Sequence, residues 1–235
     1  MMQILEKGAK TYGLELPETA APAFRRYFEL LDERCRVMNL TAITGETDVY
    51  TLHFLDSLFL LTLDDFIGKR VIDIGSGAGF PGIPMKIAQP EISLTLLDAQ
   101  QKRVDFMAEV CAAVRAEDAV CLHARAEEAA FDRGMRDTFD FAVSRAVARL
   151  NVLCELCMPF VLPGGSFIAM KGTDSDDEIT EAGNAITKLG GEVETVADYT
   201  VPGTEVTHRA IVIRKISETP SGYPRRFAKI QKKPL

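Results

Sequence analysis

The chain has 235 residues, 47% of them hydrophobic and 26% charged, with a formal charge of −7. That length suits one sizeable α/β domain with an appendage, and that balance is ordinary for a globular protein, which excludes extensive disorder. The longest tightly apolar run, 58–61, is far short of the roughly 20 residues of a spanning helix, and the first residues carry Glu6, Lys7 and Lys10 with no apolar leader core, so a cytoplasmic protein with no membrane partner is expected.

Up to about Asp65 the pattern is helical throughout. Phe24, Tyr27, Phe28, Leu31, Cys35 and Met38 recur at three- and four-residue steps, the apolar stripe of an amphipathic helix. A break over 39–45 follows, then a second apolar helix over about 48–63. From Lys69 the rhythm changes to short apolar runs at 71–74, 94–97, 119–122, 139–143, 167–170, 193–197 and 210–213, separated by helical stretches. Near-continuous apolar strands alternating with helices predict a parallel sheet covered on both faces. The last two runs are joined through Pro202-Gly203 with no room for a crossover helix, so that final pair is expected to be antiparallel. The expected organisation is a helical extension over 1–66, a Rossmann-like core over 67–217 and a basic tail over 218–235.

The tail is the main charge asymmetry. From Ser221 to Leu235 there are five basic residues (Arg225, Arg226, Lys229, Lys232 and Lys233) and no acidic one, leaving 22 basic against 34 acidic residues, net −12, on the other 220. An acidic body with a basic end suits a local anionic contact, or merely a solvated tail. The five cysteines form an odd set. Cys154 and Cys157 make a C-x-x-C, but it falls in an apolar helical stretch without a second pair at zinc spacing, so buried thiols and no metal are expected.

The chemistry-bearing residues gather at the carboxyl ends of the predicted strands, where such folds bind ligands. After the first comes Asp73-Ile-Gly75-Ser-Gly77-Ala-Gly79, whose glycines allow a tight turn and a close approach of backbone to a cofactor. Gly77 to Gly82 also fits G-x-G-x-x-G, the dinucleotide fingerprint. Asp73 before the glycines suits a cationic amino-acid moiety and would repel a diphosphate, and Phe80-Pro81 is bulky for a pyrophosphate pocket. Asp98 ends the second strand, the place for a carboxylate that grips two ribose hydroxyls, as nicotinamide proteins also have it. A nucleoside sulfonium is therefore favoured over a dinucleotide, with an oxidoreductase as the lesser alternative. Arg125-Ala126-Glu127-Glu128 opens a helical turn that suits reading an adenine edge, and equally suits a plain acidic helix start. Ser144-Arg145-Ala146 and Lys171 end the fourth and fifth strands, facing the expected substrate side. No motif for holding an exocyclic amino group or attacking a pyrimidine follows the fourth strand. An acceptor with a free ring-nitrogen lone pair fits, since it needs no general base and catalysis becomes proximity and alignment. His53 and Asp56, three apart, read as a satisfied helix contact rather than a catalytic pair.

Taken together, Asn39-Leu40-Thr41, His53-x-x-Asp56-Ser57, the run from Asp73 to Gly82, Leu97-Asp98, Lys102-Arg103, Ser144-Arg145-Ala146 and Lys171-Gly172, in this order, resemble the bacterial small-subunit rRNA guanine-N7 methyltransferases, also called glucose-inhibited division protein B. The resemblance runs from about Asn39 to the C-terminus. It implies a class I S-adenosylmethionine-dependent methyltransferase fold: a mostly parallel seven-stranded sheet with the last strand antiparallel, helices on both faces and an N-terminal helical extension. It also implies S-adenosylmethionine as donor and, as acceptor, N7 of a guanine in the 530 loop of 16S rRNA (position 527), on free RNA or the small ribosomal subunit. A small-molecule methyltransferase is the alternative. Positions matching the family's cofactor site are Gly75, Phe80, Ala126, Glu127 and Arg145, to which the loop and strand ends add Gly77, Gly79 and Asp98. Arg145 and Lys171 would orient the substrate, through guanine O6, a phosphate or the cofactor carboxylate, and Lys171, Arg225 and Arg226 would contact RNA. His208 stands where relatives carry an arginine, with Arg209 after it.

Overall fold

The computed structural model describes residues 1–116, 118–145 and 148–235. Seven strands form one sheet in the order β3-β2-β1-β4-β5-β7-β6. They are β1 (Arg70–Ile74), β2 (Ser93–Asp98), β3 (Val120–His123), β4 (Phe139–Arg145), β5 (Val161–Gly172), β6 (Gly191–Thr200) and β7 (Thr207–Lys215). β7 lies antiparallel between β5 and β6, and every other pairing is parallel, so six strands share one direction.

Alternation along each strand feeds two cores. Val71, Phe141, Val143, Ala210 and Val212 face one layer, with helices α1 (Met2–Thr11), α2 (Ala20–Cys35), α5 (Gly82–Ala88) and α6 (Gln101–Ala113). Ile72, Ala142, Ile211 and Ile213 face the other, with α7 (Ala126–Ala129), α8 (Leu150–Cys157), α9 (Asp176–Lys188) and α10 (Phe227–Lys232). The stripe that predicted the early helix is α2, whose Phe24, Tyr27 and Leu31 are buried in the first core. Cys154 and Cys157 are fully buried in α8.

Three elements differ from the sequence expectation. The second apolar helix is a chain of turns: α3 (Glu46–Asp48), a π-helical turn (Val49–Leu55), α4 (Asp56–Leu58) and a 3-10 turn (Phe59–Thr62). Side-chain hydroxyls donate to carbonyls before and within the widened segment: Thr51 to Thr47 O (2.9 Å) and Ser57 to His53 O (2.6 Å). β5 begins six residues earlier than its apolar run, because an irregularity opposite Phe139–Phe141 absorbs Leu162-Pro163-Gly164-Gly165 within the strand. β6 is longer than its weak run because, as an edge strand, it exposes one face.

Candidate functional site

The glycine loop follows β1 at the carboxyl edge. Gly75, Gly77 and Gly79 all take positive φ (72°, 61° and 99°), which L side chains rarely adopt. Gly75 N–H donates to Leu97 O (2.8 Å) and Gly77 N–H to Asp98 Oδ2 (3.0 Å), which ties the loop to the end of β2. From the far side Tyr27 of α2 donates to Ala78 O (2.5 Å) and stacks on Phe80.

Asp73 sits one residue before the end of β1, where strand alternation turns its side chain toward α5 rather than the edge. It is fully buried; Oδ2 accepts Gly82 N–H (2.8 Å) and Oδ1 has no partner. Burial pushes its carboxyl up to about 7 despite the Gly82 bond and the positive charge of Arg145. Asp98, also buried, accepts Gln100 N–H on Oδ1 (2.8 Å) and Gly77 N–H on Oδ2, with the Arg103 guanidinium 3.5 Å from Oδ2, so Oδ1 keeps a lone pair for a hydroxyl.

Beside the loop lies a cleft of about 830 Å³, lined among others by Gly75, Gly77, Phe80, Asp98, Arg145 and Lys171. The structure thus brings together six of the residues singled out from sequence. Gly79, Ala126 and Glu127 do not line it: Gly79 is packed under Ile83 and Tyr27, Ala126 is buried in the second core, and Glu127 faces a separate groove. Of the Ser144-Arg145-Ala146 motif, Ala146 lies outside the described residues.

Arg145 is the hub. Its guanidinium lies 4.8 Å over the Phe80 ring and donates to Leu52 O (3.3 Å), Asp56 Oδ2 (3.2 Å) and His53 Nδ1 (2.9 Å). An arginine only donates, so His53 Nδ1 is an unprotonated acceptor, and the ring proton on Nε2 faces Thr41 Oγ1 (2.8 Å). Burial, then Arg145, pushes the His53 imidazole down to about 3. Asp56 Oδ1 accepts from Tyr199 Oη and His208 Nδ1, both at 2.7 Å, and that bond raises the His208 pKa. His53 and Asp56 are therefore neither a catalytic pair nor a contact with each other; both hold Arg145. Lys171 is committed as well, to Glu178 (2.7 Å) and Ala148 O (2.6 Å). Thr41 and His208 also line the cleft, and Tyr199 supports it through Asp56, functional positions that the sequence pattern does not mark as such. The only signal for them was Thr41 and His208 falling at motif positions. Arg209 turns away to Asp176 and Asp198.

The tail residues diverge. Arg225 binds Glu155 of α8 through its backbone N–H (2.7 Å), Nε (2.8 Å) and Nη2 (2.6 Å), while Arg226 is exposed. Among the described residues no group of three His, Cys, Asp or Glu is placed to hold a metal ion, and no helix is long and apolar enough to cross a membrane.

A sheet of this order, with a glycine loop after β1 and a carboxylate ending β2, has the class I methyltransferase fold. Solved structures agree in fold: TrmN from Thermus thermophilus (TM-score 0.55, 20% identity, 69% of this chain and 48% of that one) and a SAM-dependent O-methyltransferase from Thermotoga maritima (TM-score 0.54, 17% identity, 82% and 73%). The chain thus spans about half the length of TrmN.

The particular family follows from sequence. The family described as rRNA small subunit methyltransferase G matches residues 20–207. Proteins named ribosomal RNA small subunit methyltransferase G are 42% identical in Clostridium beijerinckii (99% of this chain, 98% of the relative) and 44% identical in Alkaliphilus oremlandii (100% and 99%). The chain belongs to this family, and its methyl donor is S-adenosylmethionine. The residues present fit that donor. Asp98 turns its carboxylate to the ribose position at the end of β2, and the glycine loop, with positive φ at Gly75 and Gly77, admits close backbone approach.

Proposed function

We propose that this protein transfers a methyl group to N7 of a guanine in the 530 loop of 16S rRNA, as free RNA or in the small subunit, in the cytoplasm. One observation carries the choice of atom: apart from Asp98, which is assigned to the ribose hydroxyls, the acids and imidazoles of the cleft wall are engaged. His53 uses both nitrogens, Asp56 accepts from three donors, Glu178 pairs with Lys171, and His208 is raised toward its charged form. None is poised to remove a proton. Guanine N7 carries a free lone pair and has no proton to lose, so alignment suffices.

S-adenosylmethionine supplies an electrophilic methyl when bound. The chain's own residues then bind and orient: Asp98 takes the ribose hydroxyls, Gly75, Gly77 and Gly79 shape the loop against the methionine part, and Phe80 walls the cleft. Ala126 and Glu127, which open α7 just after β3, are assigned to the adenine side through their backbone, the Glu127 side chain facing the separate groove. Arg145 is assigned to the cofactor carboxylate or guanine O6, away from the new methyl, since the product ring is cationic. Lys171 is assigned to the substrate side as the cation that fixes the end of β5 to α9. Of the tail pair, Arg226 is assigned to RNA and Arg225 to holding the tail. The division into an extension over 1–66, a core over 67–217 and a tail over 218–235 follows the same assignment.

Incubation with tritiated cofactor and small-subunit RNA, followed by borohydride–aniline scission, tests this. Label with one new scission product is expected, because that cleavage requires N7-methylguanosine. Label without scission would move the acceptor atom, and absence of label with cofactor bound would remove the RNA substrate.

A further inference from the structure

The acidic body and basic tail meet in a second groove of about 1040 Å³, between α7 and the C-terminal segment. The segment is not a free tail. Lys215, fully buried, donates to Thr219 Oγ1 (2.7 Å) and Met158 O (2.6 Å). Arg136 donates to the carbonyls of Thr219 (2.7 Å) and Tyr223 (2.9 Å). Arg225 grips the fully buried Glu155, and Ile230 of α10 is itself fully buried. With its backbone held at these points, the segment presents Arg226 and Lys229 outward on one wall of the groove. The opposite wall carries the exposed Arg125 and Phe131, a large aromatic left 53% accessible to solvent. Glu127 and Glu128 of α7 line the groove as well.

Cations on both walls of a groove that also exposes an aromatic ring suit single-stranded RNA: charge for phosphates and a platform for an unstacked base. That platform is the side of Phe131 away from the Arg136 guanidinium, which lies 6.0 Å from the ring centroid. Two carboxylates in the groove would repel a bare polyanion but accept hydrogen bonds from the amino or imino edge of a base. We propose that this groove binds the single-stranded rRNA flanking the target nucleotide, with phosphates along Arg125, Arg226 and Lys229 and one base against Phe131. The proposal rests on the rRNA reading above and adds the surface that recognises the substrate.

The test is anisotropy of a fluorescein-labelled RNA oligonucleotide copying the target loop, titrated with the full chain in S-adenosylhomocysteine. Joint Arg226→Ala and Lys229→Ala replacement should weaken binding at least tenfold and flatten the slope of log K against log salt by about 1.4, near 0.7 for each lost phosphate. Phe131→Ala should weaken binding roughly five- to a hundredfold with the salt slope unchanged. Joint Lys7→Ala and Lys10→Ala replacement on α1 removes the same charge from exposed positions outside the groove and should leave the affinity within twofold. S-adenosylhomocysteine affinity, measured by calorimetry, should stay at the wild-type value throughout, which shows that each variant is folded.

Equal weakening by the α1 variant, or none by the groove variants, overturns the proposal. Groove variants impaired only on assembled subunits, and normal on naked RNA, would overturn it in favour of a protein contact. Because binding is read without methyl transfer, RNA capture lost in the groove variants would stand even if wild type transferred no methyl group. Normal transfer by the groove variants would remove this site and leave the activity.

Discussion

The two ends of the chain are fastened to the same sheet by opposite means. The N-terminal helices dock through an aromatic cluster, in which Phe54 packs against Phe24, Tyr27 and Tyr50 with ring centroids 4.9 to 5.2 Å apart, and a single hydroxyl reaches the glycine loop. The C-terminal segment docks through cations, each aimed at a carboxylate or a set of carbonyls. Apolar contact is non-directional and tolerates adjustment, whereas charged hydrogen bonds fix orientation. The first mode suits a buttress behind a cofactor loop. The second suits a segment whose outward face must hold a set position.

Breaking each attachment should expose that contrast. Glu155→Ala leaves Arg225 without its carboxylate and should cost about 3–5 kcal/mol in urea unfolding; a loss under 1 kcal/mol would mean that the pair does not hold the segment. Phe54→Ala should cost about 3–5 kcal/mol by opening a cavity, and here S-adenosylhomocysteine affinity should fall as well, because Phe54 backs Tyr27 and Phe80. Equal cofactor affinities in the two variants would erase the distinction between buttress and segment.

A proton sharpens it next. His53 titrates near 3 when folded and near 6.5 when unfolded, so below pH 6.5 the unfolded state binds the extra proton and stability falls as pH drops, by up to about 1.4 kcal/mol per unit. Asp73 works the other way: its folded value is about 7 against 3.8 unfolded, so stability falls as pH rises through that window. The measurement is therefore the difference between wild type and His53→Gln, whose amide keeps both hydrogen bonds. The wild type should lose ground to the variant between pH 6 and pH 4, and parallel curves would refute the buried neutral imidazole. Smallest in stability is Tyr27→Phe, expected at about 1–2 kcal/mol for an orphaned Ala78 carbonyl. Its cofactor affinity should still drop, read by calorimetry; an unchanged value would detach α2 from the loop.

Legibility followed range. The strands showed as apolar runs and the last pairing as a hairpin too short for a crossover, because both are local patterns. So did Asp98 and the glycine loop, where chemistry is confined to consecutive residues at strand ends. Asp73 was legible as a carboxylate but not in its direction, which depends on where β1 ends. The Arg145 hub was not legible, since its partners lie 89 and 92 residues away and His208 meets Asp56 across 152. No periodicity encodes such separations. Arg225 looked like its neighbours in the tail, although a signal existed: Glu155 is the one charged residue in the apolar stretch 152–160, and a carboxylate there demands a partner.

The inverted strand β7 has a consequence for how this chain can vary. Tyr199 and His208 are directly paired across β6 and β7, so both side chains stand on one face, and both donate to the same oxygen of Asp56. Their common direction is set by the length of the loop between them, over 201–206. Adding or removing one residue there would shift the pairing by half a pleat and send one prong to the opposite face. Besides keeping the residues that shape it, the buried Val201 and Gly203 at a φ of 80°, the loop must keep its count.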